Sequence, residues 1–440
     1  MNFAIKKSTL KLTLLLLLFK AALDLAYVYV ISPVYAYSGF TIAIDFLALI
    51  ESYILTLIIG FMVPSNIGRP SHFFIWMLAV GALIPSLTYY AIHSGSRMFM
   101  YMLVLSFICV VVMSKIALVK IGTLKEGRVI GIGLLIATVI IVAVSMIVKG
   151  GLSHFNLNIS KVYEHRRDVG ALIGTGLWGY INTWAFKVIN PALIGWAFWQ
   201  NRTKLVLAFS VLQILFFGIS SHKSVLFYPA LILVLYLFAE KRKALNLMTW
   251  GLIVVIIVSS AVSILIDYHW LSSLFIRRVF LVPASLNFVY YELFSRIGHV
   301  FMSNSVLSWL FEYPFHVNPV LLVSEYLYGH QNTWANNGFL ATGYMHFGFL
   351  GMIIFSLIVG VLLWLLDILV YRRLPLWLGI SIVTMPIFSL FTSADLTTAL
   401  LTHGILVGML VLLVLGNKQN VTEKEIKQGA EAYLSSDLGS

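Results

Sequence analysis

Cysteine and charge are the two scarcities that bound this chain. Its single cysteine, Cys109, lies inside an apolar run. No internal disulfide can therefore staple the loops, and a zinc site built on thiolates is excluded. Charged residues make up 10% of the 440 positions and hydrophobic ones 60%, whereas a globular domain carries roughly one quarter charged residues. Also missing are paired carboxylates in an Asp-x-Asp pattern, a His-Glu-x-x-His, a phosphate-binding loop and a Gly-x-Gly-x-x-Gly in strand context. Those absences disfavour a nucleotide-sugar enzyme that uses a divalent cation, and the lack of a soluble nucleotide domain excludes an ATP-driven pump.

What is present is apolar sequence in continuous runs of about 20 residues, the length of a membrane-crossing helix. A β-barrel would alternate instead. The expected fold is an all-α polytopic integral membrane protein, one domain over 1–440. Twelve helices are expected near 9–31, 40–63, 73–92, 98–114, 129–148, 176–199, 204–219, 225–239, 247–267, 341–366, 376–391 and 397–416. The basic, Leu-rich amino terminus continues apolar past Lys20 and Asp24 to Val30, so it reads as a retained first helix and not a cleaved leader.

The net charge of +12 would suggest nucleic acid in a soluble protein. Here it follows the positive-inside rule, and no nucleic acid is implied. With the amino terminus inside, 18 Lys and Arg fall in inside segments and 9 in outside ones, which places both termini and the tail 417–440 in the cytoplasm. The nine outside cations cluster in the loop 149–175, which holds Arg166 and Arg167, in the long segment 268–340, and in short loops with Arg97 and Lys223. A bundle gathers such loops over one face, and an electropositive face suggests an anionic ligand. Contact with phospholipid headgroups is the plainer reading for any single residue.

The segment from Asp267 to Leu340 is the largest expected stretch outside the membrane. Arg277 and Arg278 open it, and adjacent guanidinium forks match the oxygens of a diphosphate. Glu292 follows two tyrosines; a carboxylate beside rings can hold its proton more tightly and act as a general base. Tyr291 offers a ring for a sugar face, and Arg296 a further cation. His330, Asn332, Asn336 and Asn337, interleaved with Trp334 and Phe339, suit a polyhydroxyl ligand. His346 reads as packed. Lys20 and Asp24, spaced i, i+4, read as a structural pair in preference to a proton route, while Asp45, Glu51, Lys187 and Asp367 are further charges near spans.

Three stretches carry a resemblance: SSHKSVLFYPALI (Ser220–Ile232), RRVFLVPASLNFVYYELF from Arg277, and TWANNGFLATGYMHFGFLGM from Thr333. In order and between helices, they resemble the Wzy-type O-antigen polymerases, the oligosaccharide repeat-unit polymerases of bacterial inner membranes. An Arg-x10-Gly pattern found in some members is absent, since the residues eleven on from Arg166 and Arg167 are Leu177 and Trp178.

The resemblance implies a GT-C-like polymerase–ligase architecture, multi-pass, with a periplasmic active site. It implies lipopolysaccharide O-antigen polymerisation: a growing glycan moves from undecaprenyl diphosphate to the non-reducing end of a second lipid-linked repeat unit, without metal or cofactor. A chain-length regulator protein is a further implied partner. Arg277 and Arg278 would hold the diphosphate and stabilise its departure, supported by Arg166, Arg167 and Lys223. Glu292, or failing it His330, would take the acceptor proton, while Tyr291, Arg296 and Asn337 would contact the substrate. An O-antigen ligase shares the donor and stays open as an alternative. A flippase would show repeated halves and charges along its central helices.

Overall fold

The computed structural model describes residues 6–119, 121–122, 127–157, 176–220, 223–241 and 243–417. Among them the fold is entirely helical. In chain order the elements are α1 (Lys7–Ser38), α2 (Phe46–Met62), α3 (Pro70–His93), α4 (Arg97–Ser114), α5 (Gly127–Val148), α6 (176–199) and α7 (Thr203–Ser220). There follow α8 (Lys223–Phe238), α9 (Ala244–Leu265), α10 (Trp270–Ile297), α11 (Pro319–Tyr328), α12 (Phe339–Val370), α13 (Leu376–Thr392) and α14 (Leu396–Leu415). Nine of the described helices are long and apolar enough to cross a membrane, and α2, α8 and α13 include shorter apolar stretches. The chain is a polytopic membrane protein by this measure.

Boundaries shift by a few residues along the chain, most at the first two helices, and one segment differs in kind. The first helix runs on to Ser38, and the second starts at Phe46, where the Asp45 carboxylate accepts from the Leu47 amide and caps it. More consequential is 267–340, expected to lie outside the membrane. Its first part is α10, 28 residues long, itself apolar enough to span and packed against α12, α3 and α9.

Contacts sort the loops onto two ends of the bundle. At one end Arg69 meets Asp367, Trp364 bonds the Ala117 carbonyl, and Arg373 bonds the Leu413 carbonyl. At the other, here called the mouth, Thr41 meets His93, Arg97 meets Asp45 and Glu51, and His346 meets Asp395. Both halves of α10 touch mouth residues: Arg277 lies against Ser38, and Phe288 against Tyr89 and Phe99. Its turn at Phe280 reaches down to Phe19 of α1.

Proline shapes these helices in a repeated way. Wide π-helical turns occur at Tyr27–Ile31, Ala79–Leu83, Ala185–Ile189 and Ser273–Leu281, and each ends two residues before a proline: Pro33, Pro85, Pro191 and Pro283. A proline ring clashes with the carbonyl four residues back and offers no N–H to it. One extra residue in the preceding turn moves that carbonyl aside, at the cost of leaving an acceptor without its amide.

In lipid an orphaned carbonyl needs another donor, and Gln213 supplies one twice. Its Nε2 donates to Phe186 O at 2.9 Å and to Val225 O at 3.0 Å. The first acceptor has lost the amide of Pro191 in the π register, and the second that of Pro229 in ordinary helical register. Asn190 Nδ2 donates to Gln213 Oε1 at 2.6 Å, so the amide is held in one orientation. One buried side chain thus ties α6, α7 and α8 together.

The α12 helix is broken at Phe347 (φ −139°) and Gly348 (φ +62°). Only a residue without a Cβ adopts the second of these at low cost. The chain folds back there so closely that a Cβ on Gly351 would lie 2.1 Å from Gly343 O. The part after the break packs along α4, the most extensive helix pair in the molecule.

Candidate functional site

The residues expected to carry chemistry collect mainly on α10 and the segment after it, at the mouth. Arg277 sits within the π-helical stretch that Pro283 imposes. Its guanidinium lies 4.5 Å over the Tyr35 ring and 5.7 Å from that of Phe40, and Nη2 donates to Ser38 Oγ at 3.4 Å. Stacking holds the planar fork while leaving its N–H edge available. Nε is buried without a hydrogen-bond partner among the described residues. Arg278 is exposed, so the tandem pair diverges from the helix instead of presenting two parallel forks.

One turn beyond Phe288 stands Glu292, half-buried, with the Tyr326 hydroxyl donating to Oε2 at a long 3.5 Å. Arg296, four residues further, is exposed and places its guanidinium 5.9 Å from the same Tyr326 ring. Glu292 also sits close enough to Tyr89 to act on it electrostatically. Tyr89 in turn packs on Phe40, His93 and Phe288. A wall of rings therefore runs from the Arg277 end of α10 to the Glu292 end. Phe40, Tyr89, Phe288 and Phe99 are buried and form its packed backing, while Tyr35 and Tyr291 are half-buried, and a partly exposed ring is what the C–H surface of a sugar packs on.

Tyr291 is built into that wall, stacked on Phe99 at 4.9 Å and on Phe349 at 5.9 Å. Asn337 is not at the surface. It is buried, and its Nδ2 donates to Pro283 O at 3.2 Å and Asn287 Oδ1 at 3.0 Å, while Oδ1 accepts from the Gly338 amide. Both amide hydrogens are committed to fastening the start of α12 to α10, and the residue orders the site from behind. His330 is exposed, stacked on Tyr328, and Tyr326 on the same helix faces Glu292 instead. Arg166 and Arg167 lie outside the described residues. Lys223 begins α8.

Fifteen residues separate Arg277 from Glu292, or roughly 20 Å along a helix at about 1.5 Å per residue. A diphosphate and the sugar carbon attached to it are neighbours. They cannot touch both residues at once. The guanidinium nearest Glu292 in the chain is Arg296.

Two groups went unnoticed as partners in the sequence. His346 is buried, with Nδ1 accepting from the Met302 amide at 3.1 Å and Nε2 3.0 Å from Asp395 Oδ2. The packed role expected for it is what the structure shows. Arg97, Glu51, Asp45, Tyr90 and Tyr101 form a second polar cluster beside α10. Their separations of up to 56 positions gave no local signal, although 97 itself was counted among the outside cations. Within the bundle, Lys20 Nζ pairs with Asp24 Oδ2 at 2.7 Å and lies 4.0 Å over the Tyr53 ring, and Thr88 donates to Asp24 Oδ1. That is the structural pair expected from the spacing.

No protein-family model, curated protein or solved structure matches this chain.

Proposed function

We propose that the chain is a membrane glycosyltransferase that lengthens glycans carried on polyprenyl diphosphate, a repeat-unit polymerase of the O-antigen type, working at the mouth of the bundle. The observation that carries the reading is the stacked Arg277 guanidinium, with its buried Nε unsatisfied, on the same helix as a half-buried carboxylate and joined to it by a wall of rings. Cations for a diphosphate, rings for sugars and a base for a hydroxyl are the groups such a transfer needs. Diphosphate is a good leaving group that requires charge stabilisation and no general acid. With α10 returning to the mouth, the remaining long helices, the three shorter ones and α6 make twelve crossings, both termini lie in the cytoplasm, and the mouth is periplasmic in a bacterial inner membrane.

The separation along α10 gives the two substrates different places. The acceptor's reacting hydroxyl is at the far end of its oligosaccharide, so its diphosphate rests at Arg277 and Arg278 while its terminal sugar reaches Glu292. The donor's diphosphate then leaves beside Arg296. Glu292 takes the proton from the acceptor hydroxyl, oxygen attacks the anomeric carbon, and the bond to the donor diphosphate breaks with inversion.

In membranes supplied with a lipid-linked repeat unit, Arg278→Ala and Glu292→Gln should each stop chain growth and leave single units on the carrier. Arg277→Gln should raise the acceptor KM more than it lowers kcat. Long chains at normal levels in the first two variants would overturn the reading.

A further inference from the structure

On the lipid-facing side, between α2 and α4, lies an open groove of about 400 Å³. Leu47, Ile50, Ile54 and Leu55 form its apolar length, and Glu51, Arg97 and Tyr101 stand at its mouth end. Asp45 completes that end, with Oδ2 3.9 Å from Arg97 Nη2. The Glu51 carboxylate accepts from Tyr90, Tyr101 and Arg97 Nε and is thereby satisfied; it fixes the arginine through Nε, with Nη2 beside Asp45 in a half-exposed side chain. Side-chain exposure is 52% for Arg97 and 45% for Asp45, against 20% for Glu51.

We propose that this groove holds a bilayer phospholipid whose headgroup carries an ammonium beyond its phosphate, the ethanolamine class. One guanidinium against two carboxylates makes the cluster net negative, so a headgroup bearing only negative charge is repelled. A zwitterion is met on both charges: phosphate by the Arg97 fork and ammonium by Asp45, which lie as close together as the charges joined by an ethanolamine linker. One acyl chain lies along Leu47 to Ile54, and the tyrosines sit at the depth where amphipathic rings border a bilayer. The same charge balance keeps the diphosphate carrier out of this groove, which makes it separate from the site on α10.

The test is native mass spectrometry of the purified full chain, incubated with equal amounts of phosphatidylethanolamine and phosphatidylglycerol bearing the same acyl chains. Phosphatidylethanolamine should be retained over phosphatidylglycerol by roughly tenfold, the factor that 1.4 kcal/mol of charge-assisted contact produces. Asp45→Asn, which keeps a side chain able to cap α2, should bring that ratio near one. Ile54→Trp, which fills the groove from the lipid side, should reduce retention of both lipids. Equal retention by the unaltered protein, a preference for phosphatidylglycerol or added undecaprenyl phosphate, or an unchanged ratio in Asp45→Asn would overturn the proposal.

Discussion

His346 Nε2 lies 3.0 Å from Asp395 Oδ2, while Nδ1 of the same ring accepts the Met302 amide. A ring that accepts at Nδ1 must carry its proton at Nε2, so the imidazole is neutral and donates to the carboxylate. One side chain thereby joins the strap after α10, the first half of α12 and the start of α14. His346→Phe should cost about 1–3 kcal/mol, since the part-buried Met302 amide loses its acceptor while Asp395 Oδ2 keeps the Thr397 hydroxyl. Thermal unfolding of the detergent-solubilised protein, followed by intrinsic fluorescence, checks this, and an unshifted Tm would show the contact to be dispensable.

Gln213 should prove harder to replace than its surroundings suggest. Gln213→Leu keeps the volume but removes the amide that donates to both Phe186 O and Val225 O. A loss of about 2–4 kcal/mol is expected, from two acceptors at about 1–3 kcal/mol each with partial relief by backbone adjustment. Thermal unfolding beside a Gln213→Glu variant, which loses the donors in a different way, would check it.

Pro283 touches no proposed ligand, yet its replacement should reach the site. Pro283→Ala restores an N–H and removes the ring that forces the wide turn, so the stretch 273–281 can return to ordinary helical register. That change turns Arg277 away from Tyr35. Chain growth should fall by roughly tenfold to a hundredfold, the scale of a misplacement of about 1 Å at a reacting site, with the Tm unchanged or raised. Full activity in this variant would show that the π register does not position the arginines.

Burial lowers the pKa of His299 below its ordinary value of 6.5, and its Nδ1 is buried without a hydrogen-bond partner among the described residues. The folded protein therefore favours the neutral ring, and the unfolded chain takes up the proton first as the medium is acidified. Stability from this residue is fully present above pH 6.5 and is lost as pH falls from there through the folded value. Tm should drop between pH 7.5 and 5.5, and His299→Gln should flatten that slope. A slope unaltered by the substitution would assign it to other groups.

Much of the fold was legible because a bilayer leaves few options. Long apolar runs must be helices, since lipid offers no water to their amides, and the runs ending at Ser114, Val148 and Trp199 lie within a residue of the expected boundaries. The segment after Asp267 was harder. Its arginines and tyrosines lower its hydropathy to 1.2, the least of the nine long helices, and so it read as a loop. Asn337 looked like a ligand-binding amide because sequence does not report which hydrogens a neighbouring carbonyl will claim.

By itself the sequence determined that the chain is a helical membrane protein and, for several helices, where the apolar run ends. Those outcomes depend on interactions within a few residues and on the solvent. Tertiary structure alone decided that Arg277 stacks on Tyr35, that Gln213 serves carbonyls on two other helices, and that both halves of α10 touch mouth residues. Each of these joins positions far apart in the chain, and their contact exists only after the helices have chosen their neighbours.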